Sequence, residues 1–269
     1  MITSEVFDAL QKRSADFRYT SFTYLDYDSV AEYEILADRD DLILLAGWKR
    51  EAGVYDVQWA ANEKDAVVAA AKNSRRETLV MFVPAAWKQD FMDEGFEEFG
   101  VLREYWLNDL SKAAAPQIAC EPIAEEECAE AAAVTQDCRM QSREFYGESE
   151  ESLQEWLREE TEDLRHKAIL ACREGGRMAG IALTAVYGFT SGKSPVAWVR
   201  EVAVRPEYRK KGYGRALVES VVQYGLARGA GCSFLMADDC NTGAVALYRQ
   251  IGFEPNEEDP QIDLLYRPQ

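Results

Sequence analysis

The stretch RPEYRKKGYGRALV, Arg205 to Val218, sets Gly212 and Gly214 among the cations Arg205, Arg209, Lys210, Lys211 and Arg215. Placed where a helix begins, these residue types could hold an anion. The first turn of a helix carries backbone N–H groups without internal partners, and the helix dipole adds partial positive charge there. Glycine lets an anion reach those amides without meeting a side chain. The chemistry implied is the grip of a pyrophosphate. A GxxxxGK[ST] loop is absent, and a GxGxxG fingerprint would need glycine where Leu217 stands. Taken alone, a surface turn with solvated cations would look the same.

The rest of the chain is acidic, with a formal net charge of −18 over 269 residues. General nucleic-acid binding rests on a positive footprint, so no nucleic-acid partner is expected. An acidic chain is compatible with attraction of cationic small molecules. No apolar run approaches the ~18 residues that would cross a bilayer. The opening MITSEVFDALQKRS lacks a basic head before an apolar core, so no export signal is read there. No membrane partner and a cytoplasmic location are expected. Cys120, Cys128, Cys138, Cys172, Cys232 and Cys240 show no CxxC spacing and read as reduced thiols. With His166 as the only histidine, no metal site is expected.

Elements must position the glycine-rich turn. SKAAAPQ, Ser111 to Gln117, reads as the joint between a first domain over 1–113 and a second over 114–269. After it, QIACEPI reads as a strand and Glu126 to Met140 as a helix. An acidic helix runs from Glu150 to Leu164, with Leu153, Trp156, Leu157 and Leu164 as its apolar stripe. KAILACREGGRMAGIALTAVYG reads as a hairpin around a Gly-Gly turn, and AWVREVAV as a strand ending at Arg205-Pro206. A helix then spans Gly212 to Arg228, CSFLMA is a strand, Thr242 to Gln250 a helix stopped by Gly252, and IDLLYR a last strand. Crossovers after an antiparallel hairpin predict an α/β fold with a mixed sheet and helices on its faces.

The combination VAVRPEYRKKGYGRALV, a strand, an Arg-Pro break and R-x-x-G-x-G opening a helix, resembles the acetyl-CoA signature of the GNAT superfamily of N-acetyltransferases. NTGAVALYRQIGFEP, with Asn241, Tyr248 and Gly252-Phe253, resembles its second signature. The resemblance covers Gln117 to Arg267. It implies acetyl-CoA as cofactor, with pantetheine in a V-shaped gap between the strands around Val202 and Leu235. The strand Val202, Ala203, Val204 would line that gap, bonding through the backbone of Val202 and Val204. The pyrophosphate would rest on the amides of Lys210, Lys211, Gly212, Tyr213, Gly214 and Arg215, with Arg209 adding charge. Tyr248 occupies the position of the general acid that protonates the departing thiolate. Glu201 is the candidate base, and period-two alternation turns it away from Val202 and Val204, with Ala203.

Other residues carry weaker readings. Asn241 caps its helix, and the resemblance also brings it to the pantetheine or ribose. Tyr248 would equally suit core packing, and Glu201 a pairing with Arg200. Cys240 reads as packing and His166 as a surface residue. In this fold the acidic helix borders the acceptor site, although Glu151, Glu155, Glu159 and Glu160 also fit a wet helix face. The implied activity is transfer of an acetyl group to a primary amine of a small molecule or peptide. A CoA-binding sensor or scaffold without turnover is an alternative, as is an amino-sugar or thiol-precursor acetyltransferase of the mycothiol-synthase type.

The first half resembles a worn copy of the second. LLAGWKREAGVYDVQWA, with Ala46-Gly47, parallels the hairpin with Ala179-Gly180, and TLVMFV parallels CSFLMA. FMDEGFEEF parallels YRQIGFEPN. Where the second half has RKKGYG the first has ANEKDAVV, with Glu63 and Asp65 and no glycine. Phe91 stands in place of Tyr248. Two GNAT-like domains are therefore expected, each a mixed, mostly antiparallel sheet flanked by helices, with one working site.

Overall fold

A computed structural model describes residues 2–49, 53–139, 141–143 and 145–268. The chain forms two compact units, Met1–Leu102 with Glu258–Gln269, and Arg103–Glu257.

Unit one begins with α1 (Ser4–Ser14), capped by Thr3, whose hydroxyl accepts from the Val6 amide at 3.3 Å. Then come β1 (Tyr19–Thr20), α2 (Tyr27–Val30), β2 (Glu34–Arg39), β3 (Leu42–Lys49) and β4 (Val54–Ala61). α3 (Asp65–Asn73), β5 (Thr78–Val80) and α4 (Ala85–Asp93) lead into β6 (Phe96–Leu107). β3 and β4 pair antiparallel from Leu42↔Ala61 to Lys49↔Val54, as the hairpin reading requires; its turn, 50–52, lies outside the described residues. Both strands are nearly all buried because both faces are covered. Phe7, Leu10 and Phe22 pack on Ile43 and Leu45 on one face, and Val67, Ala71, Trp87 and Phe91 pack on Leu44, Val57 and Trp59 on the other.

Unit two contains β7 (Cys120–Pro122), α5 (Cys128–Asp137), α6 (Glu150–Arg158), β8 (Leu164–Glu174), β9 (Arg177–Tyr187) and β10 (Val196–Val204). It continues with α7 (Tyr213–Leu226), β11 (Cys232–Asp238), α8 (Thr242–Ile251) and β12 (Glu254–Pro255). Its sheet runs β7-β8-β9-β10-β11 and then the last residues of β6, on which β12 pairs through Glu254↔Trp106. The β8–β9 turn places Gly175 and Gly176 at φ +60° and +85°, the left-handed conformation a two-residue hairpin turn needs. α6 is shorter than expected and Leu164 opens β8 instead. The chain is already extended at Glu159, and the charged run 159–163 has nothing apolar to hold another turn. α5 ends at Asp137, and Met140 lies outside the described residues.

The last strand departs from the expected division at 113/114. β13 (Gln261–Tyr266) belongs to unit one, whose sheet runs β2-β3-β4-β5-β13-β6. It pairs antiparallel with β5 at Leu264↔Val80 and with β6 at Ile262↔Val101. Its buried Asp263 accepts from the Phe82 amide at 2.9 Å. An apolar run announces a strand but not its neighbours, and β5 and β6 both present it with unpaired backbone. No helix among the described residues is long and apolar enough to cross a membrane.

β10 and β11 pair in parallel only from Val196↔Cys232 to Trp198↔Phe234. Beyond that, β10 bulges between Val199 and Glu201, and no pairing joins the two strands. Bulges sharpen local twist and end pairing, so the strands part.

Removing Glu258–Gln269 would leave β5 and β6 with open edges and uncover the partners of Ile262, Leu264 and Leu265. Limited proteolysis should then cut preferentially within residues 2–102; resistance equal to that of the full chain would mean that β13 is dispensable.

Candidate active site

The parting of β10 and β11 exposes backbone that a sheet would otherwise consume. Arg205 N–H donates to Ala179 O at 3.0 Å, which fixes the phase of the β9–β10 ladder. Alternation then directs the groups of Ala203 onto β9 and those of Val202 and Val204 into the gap. Val202 O accepts from Gln141 Nε2 at 3.0 Å, and Val204 O from Arg209 Nε at 3.0 Å. The Val202 amide meets the Glu201 carboxylate of its own strand at 3.2 Å. Ala203 is therefore corrected as a gap residue: its backbone faces β9, and its methyl is buried with Ile181 and Leu183.

At the end of β10 the chain passes Pro206–Tyr208 and enters α7. Lys210 and Gly212 both take left-handed backbone, at φ +61° and +93°. The backbone N–H groups of Lys210 to Arg215 meet no protein acceptor among the described residues. A β-carbon on Gly212 would have Ile118 Cδ1, 3.7 Å away, as its neighbour, so the approach is open. Open amides at a helix start beside a parted strand pair fit a diphosphate with an extended arm.

The cations divide their duties. Arg205, counted in the basic cluster, is 4% exposed and holds Met178 O at 3.0 Å and the Asp137 carboxylate. It fastens β10 to α5. Lys211 Nζ lies 3.7 Å from Glu174 and over the Tyr208 ring. Arg215 reaches Gln250 at 2.7 Å and Glu219 at 3.4 Å. Lys210 Nζ instead comes within 3.8 Å of the space a β-carbon on Gly243 would take, at the start of α8. Lys210 is thus the cation whose side chain stands between the two helix starts. The Tyr213 ring packs in the core, which leaves only its amide for a ligand. Asn241 caps α8 through its Oδ1, 3.3 Å from the Ala244 amide, so the cap reading suffices.

Glu201 on β10 and Tyr248 on α8 lie on different elements, yet the Glu201 charge is near enough to act on the Tyr248 phenol. Each side chain is half-buried. Burial pushes the Glu201 carboxyl up to about 7; Glu148 adds to this, while the Val202 amide and Arg200 oppose it. Burial, then the nearby Glu201 charge, raises the Tyr248 phenol above its ordinary 10.0, so it stays protonated at neutral pH. Near neutral pH the carboxyl can hold or lose its proton while the phenol keeps its own.

Sequence reading missed the loop after α5. Gln141 occupies the Val202 carbonyl, and Arg143 clasps Asp238 through two bonds of 2.7 Å. Burial acts to raise the Asp238 carboxyl, but the hydrogen bonds from Arg143 and Cys240 outweigh it and hold it below the ordinary range. Glu148 pairs with Arg200 at 3.1 Å, and the Arg200 guanidinium lies over the Trp156 ring. QSRE carries no periodicity, so nothing local marked these residues. His166 is exposed against Phe189, and Cys240 Sγ lies 3.1 Å from Asp238. Glu151, Glu155, Glu159 and Glu160 are all exposed. No group of residues able to hold a metal occurs among the described residues.

Unit one repeats the layout without the opening. β4 and β5 pair in parallel from Tyr55↔Thr78 to Val57↔Val80. Past that point Trp59 fills the space, its Nε1–H donating to Met81 O at 3.0 Å and its ring 5.4 Å from Trp87. Phe91 is fully buried against Phe96. A hydroxyl there would lack a partner, at a cost of about 1–3 kcal/mol.

Residues 131–253 match the acetyltransferase (GNAT) family. A mycothiol acetyltransferase of Thermobifida fusca is 38% identical over 91 residues, 32% of this chain and 28% of that protein. The [ribosomal protein bS18]-alanine N-acetyltransferase of Escherichia coli is 34% identical over 80 residues, 30% of this chain and 50% of that protein. The chain spans half or less of the length of the curated relatives it matches. Among solved structures, a tandem GNAT protein from the clavulanic acid biosynthesis pathway superposes with a TM-score of 0.56 at 14% identity, covering 84% of this chain and 78% of that one. That likeness supports the mixed-sheet, two-unit fold.

Because folding raises the Glu201 pKa from 4.5 to about 7, the folded state binds the proton more tightly than the unfolded chain. Stability from this residue is then present below pH 4.5 and lost as pH rises towards 7. Glu201→Gln, which stays neutral, should gain in melting temperature over the wild type across that interval. A difference that does not change with pH would remove the buried-carboxylate assignment.

Proposed function

Taking residues 131–253 as an acetyltransferase domain of the GNAT family, we propose that this chain transfers an acetyl group from acetyl-CoA to a primary amine of a small molecule or peptide. The observation that carries this reading is the run of helix-start amides from Lys210 to Arg215 without protein acceptors beside the parting of β10 and β11, with the Glu201 charge near enough to act on the Tyr248 phenol. Acetyl-CoA, when bound, supplies an acyl group activated as a thioester.

The residues divide the work as follows from their positions. The amides of Lys210 to Arg215 hold the diphosphate, with Lys210 and Arg209 adding charge. The Val204 amide, the gap-facing backbone group that Gln141, Arg209 and Glu201 leave unengaged, donates to the pantetheine arm. Glu201, with a pKa near neutrality, removes a proton from the acceptor nitrogen at its carboxylate oxygen. Tyr248 holds at its phenol oxygen the proton the leaving sulfur requires. Unit one performs no transfer in this reading, since Trp59 and Phe91 fill its corresponding space.

Three measurements test this. Gly212→Glu puts a side chain and an acid on an amide cradle at φ +93°, so titration calorimetry should find acetyl-CoA affinity at least ~10-fold weaker; unchanged affinity would remove the cradle. Tyr248→Phe should lower the rate of thiol release by about 100-fold or more with cofactor affinity intact. Equal loss of both would make it a structural tyrosine, and no release by the wild type with any amine would favour a CoA-binding sensor. The acid limb of kcat/KM should fall near pH 7 and vanish in Glu201→Gln. A limb that survives the substitution belongs to another group.

A further inference from the structure

Unit one contains a cavity of about 590 Å³, lined among others by Ser21, Tyr33, Lys49, Asp56, Gln58 and Phe82. That volume lies within the range of small-molecule sites. Its polar wall is set on β4, where Asp56 and Gln58 share one strand face and are 1% and 3% exposed. Asp56 Oδ2 accepts from Tyr33 Oη–H at 2.9 Å and from Gln58 Nε2–H at 2.8 Å. Gln58 Oε1 in turn accepts from Ser21 Oγ–H at 2.7 Å. The other carboxylate oxygen, Asp56 Oδ1, meets no donor among the described residues. Buried carboxylate oxygens are rarely left so, because they lose water and gain nothing in return.

Lys49 borders the same cavity and presents the complementary deficit. The polar contact of its Nζ is the Met81 thioether at 3.2 Å, a weak acceptor for an ammonium. Its charge opposes the rise that burial imposes on the Asp56 carboxyl, yet the two are not ion-paired. Among the described residues, this cavity therefore holds an acceptor without a donor and a cation without a strong acceptor, apart from each other. Phe82 and Tyr33 supply aromatic wall, and Trp48, 53% exposed, stands on its lining as well.

We propose that this cavity binds a small zwitterion of the amino-acid type, its ammonium donating to Asp56 Oδ1 and its carboxylate accepting from Lys49 Nζ. The two poles of such a ligand meet the two unmet groups, and no ligand of single charge does so. Tyr33, Gln58 and Ser21 hold the Asp56 carboxylate in place beforehand, so little ordering remains when the ligand enters. None of these residues takes part in the acetyl transfer proposed for unit two, and the inference stands whether or not that transfer occurs.

Saturation-transfer NMR on the full chain, with each of the twenty free amino acids at millimolar concentration, tests the proposal. At least one should receive saturation, and that signal should be lost in both Asp56→Asn and Lys49→Met and kept in Gly212→Glu. Asp56→Asn should also melt above the wild type, since it removes a buried charge. No transfer to any amino acid, or transfer that survives both substitutions, would overturn the site and leave water as its occupant. Should Asp56→Asn fail to fold, Lys49→Met keeps the aliphatic stem and decides the matter alone.

Discussion

Two neighbouring parallel strands that stop pairing after three residues are the constraint on which the second unit of this molecule depends. Backbone groups in a sheet are ordinarily consumed by the next strand. Here the bulge between Val199 and Glu201 turns β10 away from β11 and leaves the groups of Val202 and Val204 to other partners. Gln141 and Arg209 satisfy the two carbonyls, so the gap is stabilised by side chains from a loop and a helix approach. The Glu201 charge, on the same strand, is near enough to raise the Tyr248 phenol further.

The two units show how one layout serves opposite ends. In each, a parallel strand pair separates after three residue pairs and a helix follows. In unit two the parted strands leave backbone that Gln141 and Arg209 engage. Unit one fills the space past its strand pair with Trp59, whose indole finds a carbonyl, and with Phe91, which gains about 1.5–3 kcal/mol from full burial. Polar cost in unit one is concentrated on the other face of β4, at Asp56 and Gln58. Buried groups that oppose stability are commonly kept for a function.

Charge in the basic cluster is mostly committed to protein. Arg205 fastens β10 to α5, Lys211 leans on Glu174, and Arg215 is held by Gln250 and Glu219. What this turn leaves unengaged is its backbone amides, set by left-handed backbone at Lys210 and Gly212, more than its cations. Side-chain charge tolerates displacement, whereas amide direction is set by φ and ψ.

Local pattern determined a good deal by itself. The Gly-Gly hairpin, the helix opened by Gly212, the cap at Asn241 and the stop at Gly252 each follow from conformational preferences of single residues, and all are present. The elements that carry Gly212, Asn241 and Tyr248 were legible for the same reason. Tertiary structure alone decided that β13 completes unit one, that Ala203 faces β9, that Leu164 opens a strand and that Arg205 is a strut. It also decided that Gln141 holds the Val202 carbonyl, that Arg143 clasps Asp238, that Glu148 pairs with Arg200, and that Asp56 lies buried with one oxygen unmet among the described residues. These depend on which partner a group finds across long stretches of chain, and spacing along the sequence carries no record of that.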